Sequence, residues 1–255
     1  MFFGAINFPP IAEVLNWKPF FLGGSALAFN KVTLITLLAA LITLALFFAA
    51  GRKKALVPRG IQNLVEASVD FIENSIAKDS MGNEGEKWAP FLAALFFFIL
   101  FCNIFEVLPI FQMPATARMA VPMPLAIAVY ITFIVVGVKR RGLRYFKDAV
   151  VPSGVPVGVL GILIPIEILS TFIVRPFALA IRLFGNMLAG HLLLITFAVL
   201  SEALFVKGVG LLLLPLPFAV LTALTGYEIF VSLLQAFIFT TLAAVYIGDS
   251  LEGAH

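Results

Sequence analysis

Residues Val32 to Ala50 are an uninterrupted apolar run of nineteen positions, long enough to cross a bilayer as one helix. The run stops at Gly51, Arg52, Lys53 and Lys54, and a basic stop of this kind marks a cytoplasmic end. From Arg59 to Ala77 the pattern changes. Ile61, Leu64, Val65, Val69, Ile72 and Ile76 recur at helical spacing, with Gln62, Asn63, Glu66, Asp70 and Glu73 between them. This segment is too polar to span, so it predicts an amphipathic helix at the cytoplasmic interface or docked on a partner. Its acidic polar face favours a protein over anionic lipid. Trp88 to Leu108 predicts a second span, running outward. Pro109 to Pro124 is a proline-rich outer loop, and Leu125 to Val138 returns inward to Lys139, Arg140 and Arg141.

The last hundred residues depart from this alternation. Val157 to Leu200 contains no polar loop, only Pro165 and Pro176. A helix of about 43 residues would be roughly 64 Å long, against a hydrocarbon layer of ~30 Å. A hairpin halfway would need turn chemistry that the stretch lacks, and it would leave loop backbone in lipid. One long, kinked and inclined element is the better reading. Lys207 and Gly208 mark an outer turn. A second overlong run, Val209 to Ile247, is broken only by Pro215, Pro217 and Gly226.

The pattern therefore predicts an all-α integral membrane protein with about five crossings and one interfacial amphipathic helix, the last two helices long and strongly tilted. Residues 1–255 form a single polytopic domain. Its parts are an external segment (1–31), a first span (32–50), the amphipathic helix (59–77), the second and third spans (88–138) and the paired long helices (157–247). The amino terminus is expected outside, with the tail from Gly248 to His255 inside. Met1 to Asn30 has no basic n-region, so a cleaved signal peptide is not expected.

Composition agrees that the solvent is lipid. The chain is 62% apolar and 12% charged, with a mean hydropathy of +1.09, whereas soluble domains average about half apolar and about a quarter charged. Segments 51–87 and 139–148, assigned inside, hold eleven Lys and Arg, while those assigned outside (1–31, 109–124 and 200–210) hold four. Cys102 is alone and no Cys/His cluster has metal-ligand spacing, so neither a metal nor a cofactor is expected. The net charge of +3 gives no support for nucleic-acid binding.

Candidate chemistry concentrates in Arg175 to Leu194, RPFALAIRLFGNMLAGHLLL. Arg182 lies far from any loop, and a charge at that depth costs several kcal/mol unless it meets a partner or a wet cavity. At about 100° per residue, Arg175, Arg182 and Asn186 share one stripe, and His191 falls on roughly the opposite face. On the second long helix Glu228, Ser232, Gln235, Phe239 and Tyr246 share a stripe. Ser232 or Gln235 alone reads as a hydrogen bond between helices. Glu228 must be protonated, paired or wetted, and Glu167 raises the same question near the cytoplasmic end. Asn103 and Glu106, one turn apart, read equally as a water-exposed interfacial pair or as part of an ion entry.

RPFALAIRLFGNMLAGH followed by YEIFVSLLQAFIFTTLAAVYI resembles the subunit a family of F-type ATP synthases, and the likeness covers essentially the whole chain. It implies a proton-translocating stator subunit, not itself catalytic, whose two long helices embrace a ring of c subunits. Partners implied are that ring, the peripheral-stalk b subunits, the rest of the synthase, the bilayer and protons. Arg182 would face the ring's carboxylate, with Asn186 and Gln235 as its polar neighbours. Glu167 would line the cytoplasmic half-channel, and His191 with Glu228 the outer one. Ser232, Tyr246, Asn103, Glu106 and Arg175 are lesser candidates for the proton pathway. A bacterial plasma membrane is expected, with the mitochondrial inner membrane as the alternative. Two other classes fit less well. A secondary ion transporter or channel would also place charges at mid-membrane, but transporters usually carry inverted repeats, and none is visible. An intramembrane enzyme would need a nucleophile–base set or a metal motif, and there is none.

Overall fold

The computed structural model describes residues 10, 29–52, 60–151, 157–205 and 214–252, and no strand occurs among the described residues. Most of the expected external segment and the expected turn at Lys207 and Gly208 lie outside them. Five helical segments are long and apolar enough to cross a membrane, so the chain is an all-α integral membrane protein.

Helix α1 (Lys31–Arg52) begins where Asn30 Oδ1 accepts the Thr33 backbone N–H at 3.0 Å, satisfying a donor that every helix start leaves open. It buries only Val32, Ile35, Ala39 and Thr43, a stripe at steps of three and four, and exposes Leu37, Leu41, Leu44 and Phe48. That division suits a peripheral helix with lipid on its outer face.

The amphipathic segment is α2 (Ile61–Ile72), a π-helical turn (Glu73–Ala77) and a short α3 (Lys78–Met81). It runs past the expected Ala77 and stops at Gly82, whose φ of 56° and ψ of −137° suit glycine. Its apolar face is wider than its packed face: Val65, Ile72 and Ile76 are buried, whereas Ile61 and Leu64 are exposed.

Helix α4 (Gly85–Ile104) is the central element, burying Leu92, Ala93, Phe96, Phe97, Ile99 and Cys102. It ends four residues before the expected Leu108. The Glu106 N–H turns back onto the Asn103 carbonyl, and Pro109 has no N–H with which to extend the ladder. Helix α5 (Pro122–Arg141) has proline in its first turn and ends at Gly142 (φ 64°), whose N–H bonds the Val138 carbonyl, the usual role of a glycine after a helix. A short α6 (Arg144–Asp148) folds Tyr145 back over Gly137, where any Cβ would overlap the ring.

The overlong run is continuous, as expected. Helix α7 (Val157–Leu169) passes through a π-helical turn (Ser170–Val174) into α8 (Arg175–Leu204). No hairpin interrupts it. The π turn has a local cause: Pro176 offers no N–H, and its ring crowds the carbonyl four residues back, at Phe172.

Helix α9 (Pro215–Glu252) lies against α8, α4 and α5. Glu228, Ser232, Gln235, Ala236, Phe239, Ala243, Ala244, Ile247 and Leu251 form its buried face, at steps of mostly three and four. Small residues at Ala236, Ala243 and Ala244 let neighbouring backbones approach, which is how helices associate when lipid removes the hydrophobic drive. The helix outruns the expected end at Ile247, so Gly248 to Glu252 are helical. The cause is docking: Gly248 sits so close to the Ser80 carbonyl oxygen that any Cβ would overlap it. Replacing Gly248 with valine should cost about 1–3 kcal/mol through overpacking. The check is the thermal midpoint of the detergent-solubilised protein, which should fall for Gly248→Val and hold for Gly161→Ala, at a site open to space.

Candidate functional site

Helices α8 and α9 bring polar groups together at three levels. At one end of the bundle, the start of α1, the turn after α4, the second half of α8 and the first turns of α9 enclose a cavity of about 390 Å³, lined by Lys31, Glu106, Gln112, His191 and Thr225 among others. His191 Nδ1 lies 3.3 Å from Glu106 Oε1, close enough for an ion pair but out of line for a hydrogen bond. Both are buried, at 5% and 3% exposure. Asn103, just before the turn that presents Glu106, accepts a hydrogen bond from the Thr116 hydroxyl.

Glu228 enters the same region from α9 and is 1% exposed. Its carboxylate rests against the backbone of Gly190, in space that any Cβ there would fill. His191 therefore meets Glu106, and Glu228 lies beside its chain neighbour. Sequence reasoning joined His191 to Glu228 alone and left Glu106 open to two readings. Buried Glu106 is no water-exposed interfacial residue. The Gly190 seat went unread, because a single glycine in a membrane helix has many causes.

The middle level holds Arg182, Asn186 and Gln235. Asn186 Nδ2 donates to Gln235 Oε1 at 2.8 Å, bridging α8 and α9. Gln235 is 1% exposed, and its Nε2 has no partner among the described residues. Ser232, one turn earlier, is fully buried with Oγ likewise unpartnered. Glu228, Ser232 and Gln235 thus form a line of buried polar groups with unused hydrogen-bonding capacity. Buried polar groups are normally satisfied. Arg182 differs from all of them: it lies on the exposed surface of α8 and forms no ion pair with any described residue.

At the far end, Arg175 Nη1 bonds Asp249 Oδ2 at 3.0 Å, and its Cζ stands 5.2 Å from the centre of the Tyr246 ring. The Tyr145 hydroxyl meets Ser250 Oγ at 3.2 Å. Glu167, half-buried on α7 before the π turn, makes no ion pair among the described residues. Sequence reasoning missed Asp249 and Lys31. Asp249 had one usable signal, a position one helical turn beyond Tyr246 at the end where Arg175 also lies. Lys31 had none, since it reads as the edge of a span. No group of three or more His, Cys, Asp or Glu among the described residues could hold a metal ion.

Residues 33–248 match the family model described as ATP synthase A chain. The chain is 42% identical over 257 residues to the ATP synthase subunit a of Frankia alni, covering 96% of this chain and 87% of that protein. It is 41% identical to the corresponding subunit of Pseudarthrobacter chlorophenolicus, with coverage of 97% and 92%, and 37% identical to that of a Methylobacterium species, with coverage of 92% of each. With a match spanning most of its length, the chain belongs to the ATP synthase A chain family.

Proposed function

We propose that this chain is the proton-translocating stator subunit of a rotary F-type ATP synthase in a bacterial plasma membrane. It provides two half-channels and presents Arg182 to a ring of c subunits. The observation that carries the reading is Arg182 itself, an exposed arginine midway along an apolar helix with no anionic partner among the described residues. Such a cation is stable at that depth only against water or an opposite charge. A partner chain offering an acidic group supplies that charge, and the ring carboxylate is such a group.

The remaining groups fall on either side of it. Glu106, His191 and Glu228, with the cavity of about 390 Å³, suit the outer half-channel, with Asn103 steadying the turn. Ser232, Gln235 and Asn186 continue the polar line toward Arg182. Glu167 suits the cytoplasmic half-channel, with Tyr246 near its mouth. The mechanism needs both. A proton cannot cross hydrocarbon alone, so it enters through one half-channel, rides a ring carboxylate around, and leaves through the other. Moving one charge through the potential yields ~2.3 kcal/mol per 100 mV. A fixed cation between the half-channels lowers the pKa of each arriving carboxyl and promotes proton loss to the exit side. It also repels protons that would pass directly. Arginine suits the task because it does not deprotonate in proteins, whereas a buried lysine can.

Three outcomes follow from this reading. In the assembled complex, Arg182→Ala and Arg182→Lys should each lower proton-driven ATP synthesis by at least about a hundredfold, with subunit content unchanged. Normal synthesis by the alanine variant would remove the central claim.

In double-mutant cycles on the same rate, His191→Ala should couple more strongly to Glu106→Gln than to Glu228→Gln, because His191 and Glu106 are the direct pair. Additive losses, in log rate, for both pairs would mean that the three groups act separately.

With eleven basic residues in the two segments assigned inside, a reporter fused after Arg144 should be cytoplasmic and one at Lys207 external. An internal Lys207 reporter would contradict the five-crossing topology.

A further inference from the structure

Helix α8 carries two arginines on one stripe, seven positions apart, so about two helical turns separate them. They are treated differently. Arg182 forms no ion pair among the described residues, whereas Arg175 is held from two sides by α9: Asp249 at 3.0 Å and the face of Tyr246 at 5.2 Å. Tyr246 is itself fixed, its ring meeting Phe133 of α5 edge-on at 6.1 Å. As a stabilising device the ion pair is weak, since its side chains are 30% and 51% exposed and pairs this open contribute little to stability. Its electrostatic effect is larger. Near a low-dielectric region, an unpaired charge acts across the two turns that separate the arginines, while a closely paired charge presents only a dipole.

We infer that Asp249, seated with Tyr246 against Arg175, is a positioning and masking residue for proton translocation. It neutralises the second arginine of the stripe and leaves Arg182 as its single uncompensated cation. The inference rests on the reading of Arg182 as the ring-facing charge. With Arg175 masked, a passing carboxylate is held in its charged form at one station. With Arg175 unmasked, a second station lies two turns nearer the exit, and each carboxylate must escape two attractions before it moves on.

Masking and simple structural bracing make opposite predictions for a double variant. If Asp249 masks Arg175, removing the arginine should cure the loss of the aspartate. If the pair merely ties α8 to α9, each single loss should do equal harm and the double should recover nothing. The test uses the intact synthase in membrane vesicles, reading proton-driven ATP synthesis and ATP-driven proton pumping per assembled complex. Asp249→Asn should lower both rates about tenfold, and Asp249→Glu should stay within about twofold of the parent. The Arg175→Gln, Asp249→Asn double variant should return to the rate of Arg175→Gln alone. Should Asp249→Asn fail to assemble, the double variant decides, because masking predicts a rate close to the parent's and bracing a loss; the reversed pair R175D/D249R, which restores a neutral pair at the same place, should also translocate protons. An assembled double variant as slow as Asp249→Asn, or an assembled reversed pair that is inactive, overturns the inference. Synthesis by Arg182→Ala would instead overturn the reading beneath it, whatever Asp249 does.

Discussion

Charge at membrane depth is the constraint that orders this molecule. Lipid offers no solvation to an ion and little to a hydroxyl or amide, so each polar group on the two long helices must find a partner or water. Most do so by meeting a group on a neighbouring element. Asn186 meets Gln235, His191 meets Glu106, Arg175 meets Asp249, and Glu228 lies against the backbone at Gly190. Every one of these contacts joins α8 to another element, and three of the four join it to α9. The polar groups therefore fix how the two long helices sit against each other, a job that apolar packing does poorly in lipid because tails and side chains are equally apolar.

Close packing makes those contacts reachable. Small residues line the α9 face, and glycines stand where atoms of another element come nearest: Gly190 under the Glu228 carboxylate, Gly248 under the Ser80 carbonyl and Gly137 under the Tyr145 ring. None of the three has a positive φ, so the need is for space and not for backbone freedom. Two of them anchor the end of the bundle where Arg175 and Asp249 also lie, which explains why α9 stays helical beyond its apolar run. Docking on α3, and not hydrophobicity, accounts for the helical Gly248 to Glu252.

How much of this was legible depended on whether the signal was local. The nineteen-residue run before Arg52, the apolar run from Leu125 to Val138 and the helical period around Val65 and Ile72 are local patterns, and each falls within an observed helix. The length of the run from Val157 onward was enough to exclude a hairpin, because no turn chemistry occurs in it. The π turn at Ser170–Val174 was not legible, since proline marks a kink without saying how the ladder absorbs it. The candidate site divides in the same way. Arg182, Asn186 and Gln235 stand out as polar residues in apolar sequence. Pairings that join helices far apart in the chain, such as His191 with Glu106 or Arg175 with Asp249, depend on packing that periodicity does not encode.

Arg182 is the exception to this pairing among the described residues, and the exception is informative because the molecule solves the same problem elsewhere. Arg175, on the same stripe, has a carboxylate and an aromatic face from the neighbouring helix. Nothing in the geometry of α9 forbids a similar acid near Arg182; the position that meets the stripe there is Gln235, which is neutral and already bonded to Asn186. A carboxylate at that place would pair the arginine permanently and end its ability to attract another. An amide instead satisfies the surrounding polar groups without competing for the charge. On the proposed reading, the cost of an uncompensated cation, several kcal/mol at this depth, is met from outside the chain. Under that proposal it would recur whenever the outside partner leaves, and the recurrence would let a fixed charge act on a succession of moving ones.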